Sequence, residues 1–93
     1  MVQYPQYHEA CQNLSRILYD NKKMTCYLMR MTPEYIAELP YPEIVRDNNG
    51  DKLFPGYEYV VVVCENGYKY YVNVSGDSVI TMCAEVFSFI QGK

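Results

Sequence analysis

The chain has 93 residues, 49% of them hydrophobic and 20% charged, with a net charge of −3. That balance excludes a disordered tail and predicts one domain spanning residues 1–93 with a single modest core. Charge is uneven: from Glu34 to Glu65 seven acidic residues stand against Arg46 and Lys52, a local −5 that argues against direct nucleic-acid binding there.

The first element is a helix over 5–21. Tyr7, Ala10, Cys11, Leu14, Ile17 and Leu18 follow the i, i+3, i+4 spacing of one apolar stripe, and Pro5 suits a first turn, where a missing N–H costs nothing. "MTCYLMRM" (24–31) is apolar on both faces and short, which predicts a strand. Thr32-Pro33-Glu34 is a helix start: a capping hydroxyl, proline at the first position and an acid in the first turn. That helix is held to about 33–39 by Pro40 and Pro42. "EIVRDNNGDKLFPGY" then predicts a short strand, a turn at 48–50 and an irregular return.

"GYEYVVVVCENGYKYYVNVSGDS" (56–78) reads as a hairpin with the unusual property that both faces are apolar. Asn66-Gly67 suggests a two-residue type I′ turn. That turn would set Glu65 opposite Tyr68, Val63 opposite Tyr70, Val61 opposite Val72 and Tyr59 opposite Val74, all on one core face. Val60, Val62 and Tyr71 would then form an apolar patch on the opposite, uncovered face. The final helix starts after Asp77 or Ser78 and stops at Gly92. Val79, Met82, Cys83, Val86 and Ile90 make one stripe and Ile80, Ala84 and Phe87 a second. The expected fold is therefore α+β, with both terminal helices packed on the Val61, Val63, Tyr70, Val72 face of an antiparallel sheet of three or four strands.

Little in the chain points to catalysis. His8 is the sole histidine and shares a helix face with Cys11, but a metal site needs three or four such ligands. The four cysteines (Cys11, Cys26, Cys64, Cys83) are widely spaced and read as small core residues of a reducing compartment. The acidic Asn-Gly stretch lacks the closing glutamate of a calcium loop. "VSGDS" is a turn and cap, not a nucleophile elbow or phosphate loop. The expectation is no catalytic residue, metal or cofactor.

What remains is binding. The residues singled out are Glu34, Tyr35, Glu38, Tyr41, Glu43, Asp47 and Asp51 in the acidic segment, with acids steering encounter and tyrosines gripping, together with Val60, Val62 and Tyr71 on the hairpin. The expected partner is a protein with a basic surface. The alternatives are a small structural subunit or homodimer closed through the Val60–Val62–Tyr71 patch, and a small cysteine-based enzyme. The N-terminus shows no basic leader followed by an apolar run, and Val79–Ile90 is too short and too interrupted to span a bilayer. The expected location is the cytoplasm, away from membranes.

A short, acidic, tyrosine-rich chain without a catalytic set resembles, in kind and without a shared motif, the small phage-encoded inhibitors of bacterial defence, anti-CRISPR proteins among them. The resemblance implies an inhibitor that places acidic surface where a nuclease would hold nucleic acid.

Overall fold

The computed structural model describes residues 3–93. In chain order the elements are α1 (Gln3–Lys22), β1 (Thr25–Arg30), α2 (Pro33–Ala37), β2 (Glu58–Val63), β3 (Lys69–Asn73) and α3 (Val79–Gln91). The three strands form one antiparallel sheet in the order β1-β2-β3. Helices at both ends pack on it, which is the expected small α+β domain.

Local chemistry sets the element ends. Helix α1 closes at Lys23, whose backbone is left-handed (φ 58°) and whose amide donates to the Tyr19 carbonyl at 3.0 Å. This is the αL cap that glycine usually makes. The Thr32 hydroxyl accepts the Tyr35 amide at 3.1 Å and starts α2. That helix stops at Ala37, two residues earlier than expected, because the Glu38 amide turns back to the Glu34 and Tyr35 carbonyls ahead of Pro40. The Ser78 hydroxyl accepts the Thr81 amide at 3.1 Å and starts α3. The Tyr7 hydroxyl ties the two long helices together by donating to the Asp77 carbonyl at 2.7 Å.

The hairpin differs from its expected register by one residue. Cys64 donates to the Tyr68 carbonyl at 2.8 Å and Gly67 donates to the Cys64 carbonyl at 2.9 Å, so three residues form the loop. Gly67 is left-handed (φ 91°) and Asn66 is not, which is a type I turn closed by a glycine bulge. A type I′ turn would need positive φ at both. Val60 therefore faces Val72, Val61 faces Tyr71, and Val62 faces Tyr70.

Because side chains alternate, a slip of one residue moves a whole strand to the other face. The expected face of β3 is right and that of β2 is inverted. Val60, Val62, Val72 and Val74 join Cys26 and Leu28 beneath α1 and α3, against Cys11, Leu14, Leu18, Met82, Val86 and Ile90. Val61, placed on the helix side by the two-residue turn, lies on the other side.

That other side is covered too. Met31, Leu53, Tyr59, Val61 and Tyr71 form a second buried cluster, flanked by Tyr35, Ile36, Leu39 and Val45. The segment between β1 and β2 folds across the sheet to make this lid. Met31 pins it, donating to the Tyr57 carbonyl and accepting from the Gly56 amide, both at 2.8 Å. The expected strand in this segment does not form; a single parallel bridge joins Asp47 to Tyr71. Both hairpin faces are apolar because both are interior. On α3 the second apolar stripe is only partly used: Phe87 packs on the core, while Ile80 and Ala84 face solvent.

Candidate partner-binding groove

The lid is organised from Asp47. Its carboxylate is buried, with 7% of the residue exposed, and its Oδ1 accepts the amides of Asn49 at 2.8 Å and Asp51 at 3.0 Å. Its own amide donates to the Asp51 carbonyl at 2.8 Å. An aspartate bonding its own backbone two and four residues on is the chemistry of a tight turn. Next door, Asn48 Oδ1 accepts the Asn73 amide at 2.9 Å, which fastens the turn to the edge of β3.

A second fastening is made by tyrosine hydroxyls. Tyr35 and Tyr71 meet oxygen to oxygen at 3.0 Å, with rings edge to face at 6.3 Å. Tyr27 stands close enough to Tyr35 to interact with its hydroxyl. Burial, then the interaction with Tyr35, pushes the Tyr27 hydroxyl up to about 12, and the same causes in the same order raise Tyr71. The raised Tyr27 and Tyr71 hydroxyls act as cross-links, not bases.

Where the lid meets the edge of β3 and the end of α3, a groove of about 680 Å³ opens. Tyr41, Ile44 and Tyr68 stand around it, 64%, 70% and 59% exposed. Its aromatic wall is a ladder of edge-to-face rings, Tyr68 on Tyr70 at 4.9 Å and Tyr70 on Phe89 at 5.6 Å. Three cations also line it: Arg46, Lys69 and Lys93. Lys93 Nζ sits 4.6 Å from the Phe89 ring centre and 5.2 Å from that of Tyr70, and Lys69 Nζ lies 6.0 Å over Tyr35. Arg46 donates to the carbonyls of Glu43 and Val45. A groove of this size with apolar walls and a few convergent polar groups is the usual form of a binding site.

Apart from Tyr35, half-buried against Tyr71 as a fastening of the lid, the residues expected from the sequence fall into three groups. Tyr41, Asp47 and Tyr71 come together at the groove, although Tyr71 is buried in its floor and Asp47 is the pin of its turn, with only Tyr41 open to contact. Glu34, Glu38, Glu43 and Asp51 are exposed on the lid, and Glu43 lines a neighbouring cavity of about 280 Å³ that shares Leu39 with the groove. Val60 and Val62 are fully buried beneath the helices, so the expected uncovered patch of Val60, Val62 and Tyr71 does not exist. Ile44, Tyr68, Phe89 and the three cations were not anticipated. Ile44 alone left a trace, an apolar residue stranded between prolines and charges in "PYPEIVRD".

Elsewhere the chemistry is quiet. Cys11 and Cys26 are buried between α1 and β1, where the Cys26 thiol donates to the Cys11 carbonyl at 3.5 Å; its interaction with Cys11 and then burial raise Cys26, while the same interaction lowers Cys11 against its burial. His8 is exposed beside Arg30 and Glu58, while Cys11 faces the core. Among the described residues no three His, Cys, Asp or Glu side chains are placed to hold a metal ion. No helix among them is long and apolar enough to cross a membrane. No protein-family model, curated protein or solved structure matches the chain.

Proposed function

We propose that this protein is a non-catalytic binding module that grips a protein partner with the face built by its lid. The observation that carries the reading is the convergence of three large, well-exposed apolar side chains, Tyr41, Ile44 and Tyr68, on one groove. Exposed apolar residues gathered around a concavity, with polar residues at the rim, mark interaction sites. The exposed acids Glu34, Glu38, Glu43 and Asp51 lie on the same lid and would steer a partner with a basic surface, of the kind nucleic-acid-binding and nuclease proteins carry. An inhibitor of such a protein fits the local charge of the segment. Cysteines spent on the core suit a reducing compartment, and we place the protein in the cytoplasm.

The test is affinity capture from host lysate with the native protein and with a Tyr41→Ala/Ile44→Ala variant. The native protein should retain a partner that the variant loses while its melting temperature stays close to native. Equal capture by both refutes the reading.

A further inference from the structure

Three unpaired cations inside the groove of an acidic protein call for an explanation. Arg30 pairs with Glu58, whereas among the described residues Arg46, Lys69 and Lys93 meet no carboxylate. The ammonium groups of Lys69 and Lys93 are held over rings, which orients them without neutralising them. The one acid in the lining, Asp47, is committed to backbone amides.

The groove also holds a stretch of sheet edge. Val74 donates to Glu58 and Cys64 to Tyr68, so the even-numbered residues of this strand turn their amides and carbonyls toward β2. Lys69, Tyr71 and Asn73 turn theirs outward. The bridge from Asp47 covers the edge at Tyr71, and Asn48 covers it at Asn73. The edge at Lys69 has neither cover and lies within the groove. An outward amide and carbonyl between aromatic walls are what an added strand uses.

We infer that the groove takes an extended peptide segment of the partner, acidic and carrying an apolar side chain, which adds to the edge of β3 at Lys69. The segment's backbone pairs with the Lys69 amide and carbonyl. Its apolar side chain enters between Ile44 and Tyr68, and its carboxylates meet Lys69, Lys93 and Arg46. Aromatic rings among cations would also suit single-stranded nucleic acid. A polyanion, however, would have to run past the acidic lid, whereas a short segment with a few carboxylates need only reach the groove. This rests on the reading of this face as the partner-binding surface and names what the partner presents to it.

The probe is the blocked peptide Ac-Glu-Phe-Asp-Phe-Glu-NH2, titrated into the ¹⁵N-labelled protein and followed by amide shifts. The lysine-for-acid version, a version N-methylated along its backbone, and a ten-nucleotide oligo-dT strand are titrated beside it. The acidic peptide should move the amides of Ile44, Tyr68 and Lys69, more weakly as salt rises. The lysine and N-methylated versions should bind at least about tenfold less tightly, as should Lys69→Glu and Lys93→Glu proteins toward the acidic peptide, since each change removes one or more charge or backbone contacts. Equal binding of the lysine version, or oligo-dT binding more tightly through the same amides, overturns the inference. So does unchanged binding of the N-methylated peptide, which would remove the added strand. No shift at these amides, while Tyr41→Ala/Ile44→Ala still abolishes capture, overturns the peptide mode and leaves the binding face standing.

Discussion

Asp47→Ala removes a side chain that the sequence presents as one more acid on an exposed loop. If Asp47 were such an acid, its loss would cost within about 0.5 kcal/mol, as surface substitutions do. The structure predicts otherwise. Two backbone amides, of Asn49 and Asp51, lose a charged acceptor at 2.8 and 3.0 Å, and the residue is 7% exposed. A hydrogen bond to a charged group is worth about 1.5–3 kcal/mol, and water can reach the exposed turn and recover part of it. The net cost should be about 2–3 kcal/mol, a large part of the stability of a small domain. For a chain of this length that corresponds to a melting temperature lower by roughly 10–20 °C. Asp47→Asn keeps an acceptor at Oδ1 and should cost about half as much. Urea unfolding of the three proteins at neutral pH reads the difference directly. An Asp47→Ala protein within about 0.5 kcal/mol of native would show that the turn does not hold the lid, and the geometry of the groove would fall with it.

The hairpin gives a second test. Gly67→Ala should cost about 1–2 kcal/mol through its positive φ alone, since a Cβ there meets nothing within 4 Å. Asn66→Ala should cost under about 1 kcal/mol, for one hydrogen bond to the Tyr68 amide. Equal large losses would restore the two-residue turn. At the end of α1, Lys23→Gly should stabilise by about 0.5 kcal/mol, with relief of the left-handed strain partly offset by loss of the contact between Lys23 and the Tyr19 ring; a loss of stability would contradict the cap. Glu85 is raised from its ordinary 4.5 chiefly by its interaction with the neighbouring Asp77 carboxyl, and then by burial. The folded state therefore holds the proton more tightly. This contribution is complete below the unfolded value and is lost as pH climbs through the raised one. Urea midpoints should fall more for the native protein than for Glu85→Gln as pH rises from about 4, and parallel profiles would refute the pairing.

The parts of the fold legible in the sequence are those set by local chemistry. Thr32-Pro33-Glu34 and Ser78 start their helices where the capping groups sit, and α1 buries the Cys11, Leu14 and Leu18 of its expected stripe but leaves Ile17 at its solvent-facing edge. Tertiary choices were not legible. Asn66-Gly67 serves a two-residue turn or the end of a three-residue one, and the distinction lies in whether Asn66 takes positive φ, which residue identity does not decide. That ambiguity inverted β2 and turned Val60 and Val62 from a surface patch into core. The all-apolar run of Tyr59–Val62 showed that both faces of β2 are apolar, but the expectation of an uncovered second face missed the lid that buries it. The groove was the least legible part. Its cations come from the lid, β3 and the end of α3, and Tyr68 and Phe89 are 21 positions apart in sequence, joined only through Tyr70. Tyr41, exposed at the groove, was singled out because an aromatic residue in a proline-bounded loop has few other uses.

Hydrogen exchange on the complex with a captured partner tests the binding face most directly. The account predicts slowed exchange at residues 39–47 and 67–71 and little change along α1. Protection centred on the outer side of α1, around Ile17 and Tyr19, with 39–47 and 67–71 exchanging as in the free protein, would contradict it.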